Sequence, residues 1–242
     1  MSTRVDDLRP RFNFSQGSWD LIWSHVHRVL VVNLMGAVTG LPLLLALAVE
    51  PRPWRYPLFF TLLSFLAGPS LAAVFGYLRR TVEDERASVA EALRCYRRLF
   101  RPASLAWSPC ALLASVAVTD LTVLPAVAPG PVLAPLLAVV VLVCVSSGVV
   151  AMAALPDDPR ATVRQTLLTA SYASVRRWPF ALANLGLLGV ALVLVNRAPL
   201  LGLAVVPGCV LFVVWRNCRA MLTAKGTTST TSTTSATSTT PT

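Results

Sequence analysis

Long apolar runs without a charged residue constrain this chain more than any other feature. The runs over 29–49 and 56–78 contain 21 and 23 residues, and only Asp120 interrupts the stretch from 102 to 156. About 20 apolar residues in a helix cross the ~30 Å hydrocarbon core of a bilayer. Such a segment is expected to be helical, because a helix satisfies its backbone hydrogen bonds without water.

Turn signals divide the remaining apolar stretches into hairpins. The segment 125–131 reads Pro-Ala-Val-Ala-Pro-Gly-Pro, and a second turn signal, Asn-Arg-Ala-Pro, occupies 196–199. The sequence therefore predicts an all-α polytopic membrane protein with one integral membrane domain over 1–225 and a disordered Ser/Thr-rich tail over 226–242. The six predicted spans lie near 29–49, 56–78, 103–124, 132–155, 178–196 and 198–215.

Composition supports the membrane assignment. Hydrophobic residues make up 55% of the chain and charged residues 13%, whereas a soluble domain carries about 25% charged residues. These proportions argue against a soluble enzyme. The basic residues are Arg except for Lys225, and this bias, with abundant Ala, Leu, Val and Pro, indicates a GC-rich bacterial genome.

Basic residues are distributed very unevenly between the two sets of loops. Eighteen of the 21 Lys and Arg residues precede span one, follow spans two and four, or follow span six. The opposite loops contain only Arg52, Arg55 and Arg197. Cytoplasmic loops carry the excess of Lys and Arg. The distribution predicts a bacterial plasma membrane protein with its N-terminus and C-terminus in the cytoplasm and an uncleaved first span.

A basic amphipathic segment lies between spans two and three. Apolar residues recur at helical spacing over 88–101, Ser88 and Glu91 match a capping box, and Pro102 marks the predicted end of this helix. A basic amphipathic helix next to a span is expected in the headgroup layer, with Arg toward anionic lipid. The alternative is a helix that docks a cytoplasmic partner. Candidate contact residues are Arg94, Arg97, Arg98, Arg101, Tyr96 and Phe100.

The same pattern recurs along the chain. Residues 86–93 align without gaps with 160–167, and Thr162 and Gln165 form a second capping box. A third helical pattern precedes span one. The sequence therefore predicts interfacial helices near 15–28, 88–101 and 162–175, each followed by a membrane hairpin.

A few residues inside the spans carry polar or helix-breaking chemistry. Asn33, with Ser64 and Asn184, is interpreted as a hydrogen-bonding contact between helices rather than part of a polar path. Gly68 and Pro69 have two interpretations. Either they break a helix at membrane depth, as in transporters, or they have no special role, because Gly and Pro are common in membrane helices. Asp120 is interpreted as an acid at headgroup level near the outer boundary.

Short motifs resemble those of a known family. Asn33-Leu-Met-Gly followed by Leu41-Pro42, and Gly68-Pro-Ser-Leu-Ala-Ala-Val-Phe75, precede an amphipathic segment with a basic-aromatic-Arg ending. Together they resemble the YesL-like family of uncharacterised bacterial integral membrane proteins, a domain of unknown function. The resemblance is best over 14–108, and the Ser/Thr tail departs from it. It implies an accessory role in carbohydrate uptake and supplies no catalytic residues.

Enzymatic chemistry is not indicated. The chain has no nucleotide-binding, serine-hydrolase or zinc-protease motif, so no catalytic, cofactor-binding or metal residues are assigned. His25 and His27 point to different sides of a helix, and the basic residues are divided among segments next to spans, which argues against nucleic acid. We expect a non-enzymatic accessory or regulatory factor associated with carbohydrate uptake, with anionic lipids and importer subunits as partners. The alternative is a permease subunit of a solute transporter.

Overall fold

The computed structural model of the chain describes residues 16–50, 55–83, 89–123, 130–157, 161–197 and 199–223. Throughout these ranges the regular structure is helical, with no strand. The helices are α1 (Gln16–Val49), α2 (Pro57–Ser64), α3 (Ala67–Glu83), α4 (Val89–Val123), α5 (Gly130–Ala154), α6 (Val163–Arg176), α7 (Trp178–Arg197) and α8 (Pro199–Thr223). The all-α prediction is confirmed for this part of the chain.

Helix α4 packs against both α3 and α5, which also contact each other. Helix α5 also contacts α6, while α8 contacts α1 and α7. Alanines line these contacts and are fully buried, for example Ala72, Ala103, Ala106 and Ala151. Small side chains let helix backbones approach closely. Membrane helices are stabilised by this van der Waals packing, because lipid is as apolar as the side chains and the hydrophobic effect does not drive the helices together.

The outer surface of the bundle is strongly apolar. Leu58 is 85% exposed and Val132 78% exposed, and many other Leu and Val side chains share this surface. Four described segments are long and apolar enough to cross a membrane, Pro57–Val82, Ala90–Val123, Val132–Ala154 and Trp178–Val195. The first predicted span is represented by the shorter apolar stretch Val29–Leu43. Predicted spans two to five are thus matched, and the count of six stays a prediction.

Two of the predicted interfacial helices are not separate elements. The described residues of the predicted segments 15–28 and 88–101 continue into the following spans as α1 and α4, and Pro102 lies inside α4 instead of ending it. Proline removes one backbone hydrogen bond, and a membrane helix tolerates this loss where neighbours support it. The prediction of a helix end at Pro102 was therefore wrong.

The third predicted interfacial helix, 162–175, is the separate helix α6. Its capping box is present: the Thr162 hydroxyl accepts the N–H of Gln165, and the Gln165 side chain accepts the N–H of Thr162. The matching box at Ser88 lies outside the described residues. So do the tail over 226–242, most of the turn at 125–131, and the side chains of His25 and His27.

The second predicted span, 56–78, is interrupted. A turn at Phe65 and Leu66 separates α2 from α3, and their N–H groups donate to the carbonyls of Leu62 and Leu63 at 3.2 Å, three residues back. Pro69 explains the position of the break, because it cannot donate to the carbonyl of Phe65 and its ring clashes with that group. The predicted span is matched by the segment Pro57–Val82, and the break lies within it, just before Gly68 and Pro69, where the sequence left a helix break as one of two alternatives.

Candidate functional site

Arginines concentrate at one end of the bundle. Because α3, α4 and α5 alternate in direction, α3 and α5 end where α4 begins, and α8 ends beside the junction of α6 and α7. Two contacts hold this arrangement: Arg79 Nη1 lies 3.2 Å from Asp157 Oδ1, and Arg177 Nη1 donates to the carbonyl of Ala220 at 3.1 Å. We call this the arginine-rich end; it contains Arg79, Arg80, Arg94, Arg97, Arg98, Arg101, Arg176, Arg177, Arg216 and Arg219.

The first turns of α4 present the predicted contact residues. Arg94, Arg97, Arg98 and Arg101 are all exposed, whereas Ala92 and Cys95 are buried against the bundle.

Some apolar side chains of this segment are exposed and others are buried or half-buried, a division that the sequence pattern did not predict. Leu93 is 52% exposed and Phe100 42% exposed, while Tyr96 is half-buried with its ring centroid 5.7 Å from that of Phe100. Tyr96 and Leu93 also line an apolar groove of about 500 Å³ between α1 and α4. The segment therefore offers a basic surface next to exposed apolar side chains.

A second set of arginines ties the helix ends together. Arg79 pairs with Asp157 and also donates to the carbonyl of Pro156, while Arg80 pairs with Glu91 at the start of α4. Glu91 thus bonds α3 to α4. These roles were not predicted, although the sequence carries a signal for them: the Arg pair directly follows span two, and Asp157 lies two residues after span four.

A cavity of about 280 Å³ lies between these helix ends. It combines charged and apolar walls, and its lining residues are Gly76, Arg79, Arg80, Cys95, Arg98, Leu99, Leu155, Pro156 and Asp157. Three of its charged side chains are Arg and one is Asp.

Trp107 packs at the level of the helix break. Its indole N–H donates to the carbonyl of Ser64 at 3.0 Å, which satisfies a backbone group at the end of α2. A Cβ added at Gly68 would lie 2.5 Å from Trp107 Cβ, and one at Gly148 would lie 2.9 Å from its ring. Two glycines therefore hold this indole between α3 and α5, and an apolar cavity of about 260 Å³ opens beside it.

Asn33 joins α1 to α8. Its Oδ1 atom accepts the backbone N–H of Gly208 at 2.6 Å, and Asn33 itself is buried. Asn184 plays the same part between α7 and α8, because its Oδ1 accepts the amide N–H of Asn217 at 2.9 Å. Both contacts are the interhelical hydrogen bonds that the sequence predicted.

The remaining predicted positions show no convergent chemistry. Asp120 is exposed on the last described turn of α4, which ends at Val123. Within the described ranges, no cluster of three His, Cys, Asp or Glu residues could hold a metal ion. The structure therefore brings Arg98 together with Arg79 and Arg80, and leaves Asn33, Gly68, Pro69 and Asp120 at separate places.

Cys218 lies beyond predicted span six, and burial raises the pKa of its thiol to about 12.

No protein-family model matches the chain, and no curated protein and no solved structure shows significant similarity to it.

Proposed function

We propose that this chain is a six-span bacterial plasma membrane protein that acts as a non-enzymatic accessory or regulatory factor in carbohydrate uptake. In this proposal both termini and the arginine-rich end face the cytoplasm, because loops rich in Lys and Arg remain on that side. The connection to carbohydrate uptake depends only on the resemblance to the YesL-like family.

One observation carries the proposal: the first turns of α4 expose four arginines beside exposed Leu93 and Phe100. A surface with both kinds of group suits the membrane interface, where Arg meets anionic headgroups and apolar side chains meet acyl chains. It also suits a groove on a cytoplasmic partner, which takes the apolar side of a helix and pairs with its charges. We assign this surface to anionic lipid and to an importer subunit.

The test is co-purification from the native membrane after light crosslinking, followed by mass spectrometry. Arg94→Glu with Arg97→Glu reverses two charges on the surface, and Arg55→Glu is the control, because Arg55 is exposed in an opposite loop. We expect importer subunits with the parent chain and with the control, and a loss of these subunits and of sugar uptake with the double variant. Recovery of the protein alone from the parent membrane, with uptake unchanged in the double variant, would contradict the proposal.

The permease alternative is supported by a different observation, the interrupted span beside an apolar cavity. Transporters place substrate sites at such breaks. The hydroxyls of Thr61, Ser115 and Thr119 line this cavity but donate to carbonyls of their own helices. They are poorly placed to bind a sugar, so we rank this function second. Substrate-dependent flux in proteoliposomes that contain only this protein, abolished by Trp107→Ala, would reverse the ranking.

A further inference from the structure

We propose that the cavity between the ends of α3, α4 and α5 binds a phosphate-bearing headgroup, either of an anionic lipid or of a soluble phosphate ester. The proposal names a ligand class for the arginine-rich end and rests on the proposed function only for the side of the membrane that this end faces. The site itself is a recess lined by Arg79, Arg80, Arg98 and Asp157, and differs from the outer surface formed by Arg94 and Arg97.

Charge favours an anion in this cavity. Asp157 neutralises the positive charge of Arg79, and Glu91 neutralises that of Arg80. Glu91 itself does not line the cavity. Within the described ranges, Arg98 forms no ion pair with a carboxylate. A guanidinium group donates two parallel hydrogen bonds to phosphate, and such charge-assisted bonds are about twice as strong as neutral ones. Arg98 is therefore the group that contacts the phosphate, with Arg79 and Arg80, each in an ion pair, beside it.

Shape also favours a ligand at this place. Ligand sites commonly occupy about 300–1,000 Å³, so the ~280 Å³ here suits a small headgroup. Gly76 leaves room at the wall, since a Cβ there would lie 3.4 Å from Leu99 Cδ1 and 3.6 Å from Pro156 Cγ. A larger side chain at position 76 would extend into the cavity. Leu99 and Leu155 provide apolar contact for the glycerol or acyl part of a lipid.

The position of the cavity makes both ligand sources accessible. Arg79 and Arg80 directly follow the apolar residues of the second predicted span, and Asp157 lies two residues after the fourth. These residues therefore lie at the depth of lipid headgroups. Basic pockets between membrane helices on the cytoplasmic side bind anionic headgroups in this way.

The experiment uses the full chain in nanodiscs and two probes. The first is phosphatidylglycerol, added to phosphatidylcholine nanodiscs and counted on the protein by native mass spectrometry. The second is inorganic phosphate, titrated calorimetrically in pure phosphatidylcholine. The variants are Arg98→Gln, the filling variant Gly76→Leu, and Arg216→Gln as a control that removes the same charge from an exposed position of the arginine-rich end, outside both the cavity and the first turns of α4.

We expect Arg98→Gln to weaken binding of at least one probe about tenfold, because it removes a charge-assisted contact, and Arg216→Gln to change it less than about twofold, since Arg216 lies outside the cavity and exposed charges contribute little. Selective loss with phosphatidylglycerol identifies a lipid site, and selective loss with phosphate identifies a soluble ligand. Equal losses in Arg216→Gln and Arg98→Gln, or no binding of either probe to the parent chain, would overturn the proposal.

The filling variant provides an independent check. Gly76→Leu keeps every charge and should abolish the selective binding; if it fails to fold, the comparison of Arg98→Gln with Arg216→Gln decides alone. Failure of this site leaves the proposed function testable, because the co-purification experiment changes Arg94 and Arg97 and does not alter the cavity.

Discussion

At the scale of single residues, the chain depends on a few positions where polar or small side chains permit close contact between helices. The sequence predicted that Asn33 would bond to another helix, because a buried amide in a span needs a partner. It did not predict that the partner is the backbone of Gly208, 175 residues later. That pairing depends on which helices become neighbours in three dimensions, and the apolar runs are too similar to one another to encode this.

Gly208 should be intolerant of any side chain. A Cβ there would lie 2.8 Å from Asn33 Oδ1 and 3.0 Å from Val29 Cγ1. Overpacking of this kind costs about 1–3 kcal/mol, so we expect Gly208→Ala to lower the apparent Tm of the detergent-solubilised protein. Gly36→Ala is the control, because no atom lies within 4 Å of a Cβ added there. Similar melting of the two variants would show that the contact of α1 with α8 is not as tight as described.

Trp107 and Gly148 should be energetically coupled. The Gly148→Ala methyl group would lie 2.9 Å from the indole ring, and Trp107→Leu removes the ring atoms that it meets. Residues in direct contact depart from additivity by about 0.5–3 kcal/mol. We therefore expect Gly148→Ala to destabilise the parent protein clearly and the Trp107→Leu variant much less, in a double-mutant cycle of thermal stability. Additive effects would contradict the packing of Trp107 against Gly148.

The Cys218 thiol should remain unreactive across the neutral pH range. Burial disfavours the charged thiolate and raises the pKa to about 12, so the reactive form is scarce at any pH well below this value. We expect negligible maleimide labelling of Cys218 between pH 7 and pH 9 in the folded protein, measured by peptide mass spectrometry. The same chain in denaturant is the control and should label increasingly as pH rises through the ordinary thiol range. Rapid labelling at pH 8 without denaturant would show that the site is open.

At the scale of elements, sequence patterns were reliable where the local chain decides the outcome. The capping box at Thr162 and Gln165 is present because both side chains bond to backbone within one turn. Helix boundaries at prolines were less predictable. Pro102 lies inside α4, whereas Pro69 is accompanied by a break four residues earlier. At the break Trp107, 38 positions after Pro69 in the sequence, satisfies the carbonyl of Ser64, so the outcome depends on tertiary partners that local rules do not contain.

The start of α6 should depend on its capping box. Thr162→Ala removes the hydroxyl that accepts the Gln165 N–H, and loss of such a cap costs about 1 kcal/mol. We expect a lower apparent Tm, measured in the same detergent as the parent chain. Thr162→Ser retains an acceptor and should melt close to the parent. Equal losses in the two variants would indicate that the methyl group, and not the cap, stabilises this helix start.

At the scale of the whole molecule, the helical class and the distribution of Arg along the chain were both evident in the sequence. The cavity formed by Arg79, Arg98 and Asp157 was not, since its walls come from three helices and its charges were interpreted separately. Of these residues, the sequence indicated only Arg98 as a candidate contact residue, and it was assigned to the surface of an amphipathic helix. The antiparallel order of α3, α4 and α5 brings the three together, and this order makes one recessed site from basic residues that are scattered along the sequence.

The most direct test of the central claim, a six-span protein whose arginine-rich end faces the cytoplasm, is cysteine accessibility mapping in intact cells. Single cysteines in place of Arg55 and Arg197 on one side, and of Arg94 and Arg216 on the other, would be introduced into a chain without its five native cysteines. A membrane-impermeant maleimide should label the first pair in intact cells and the second pair only after permeabilisation. Labelling of position 94 or 216 from outside, or protection of position 197, would contradict the orientation and the even number of spans on which the proposed function depends.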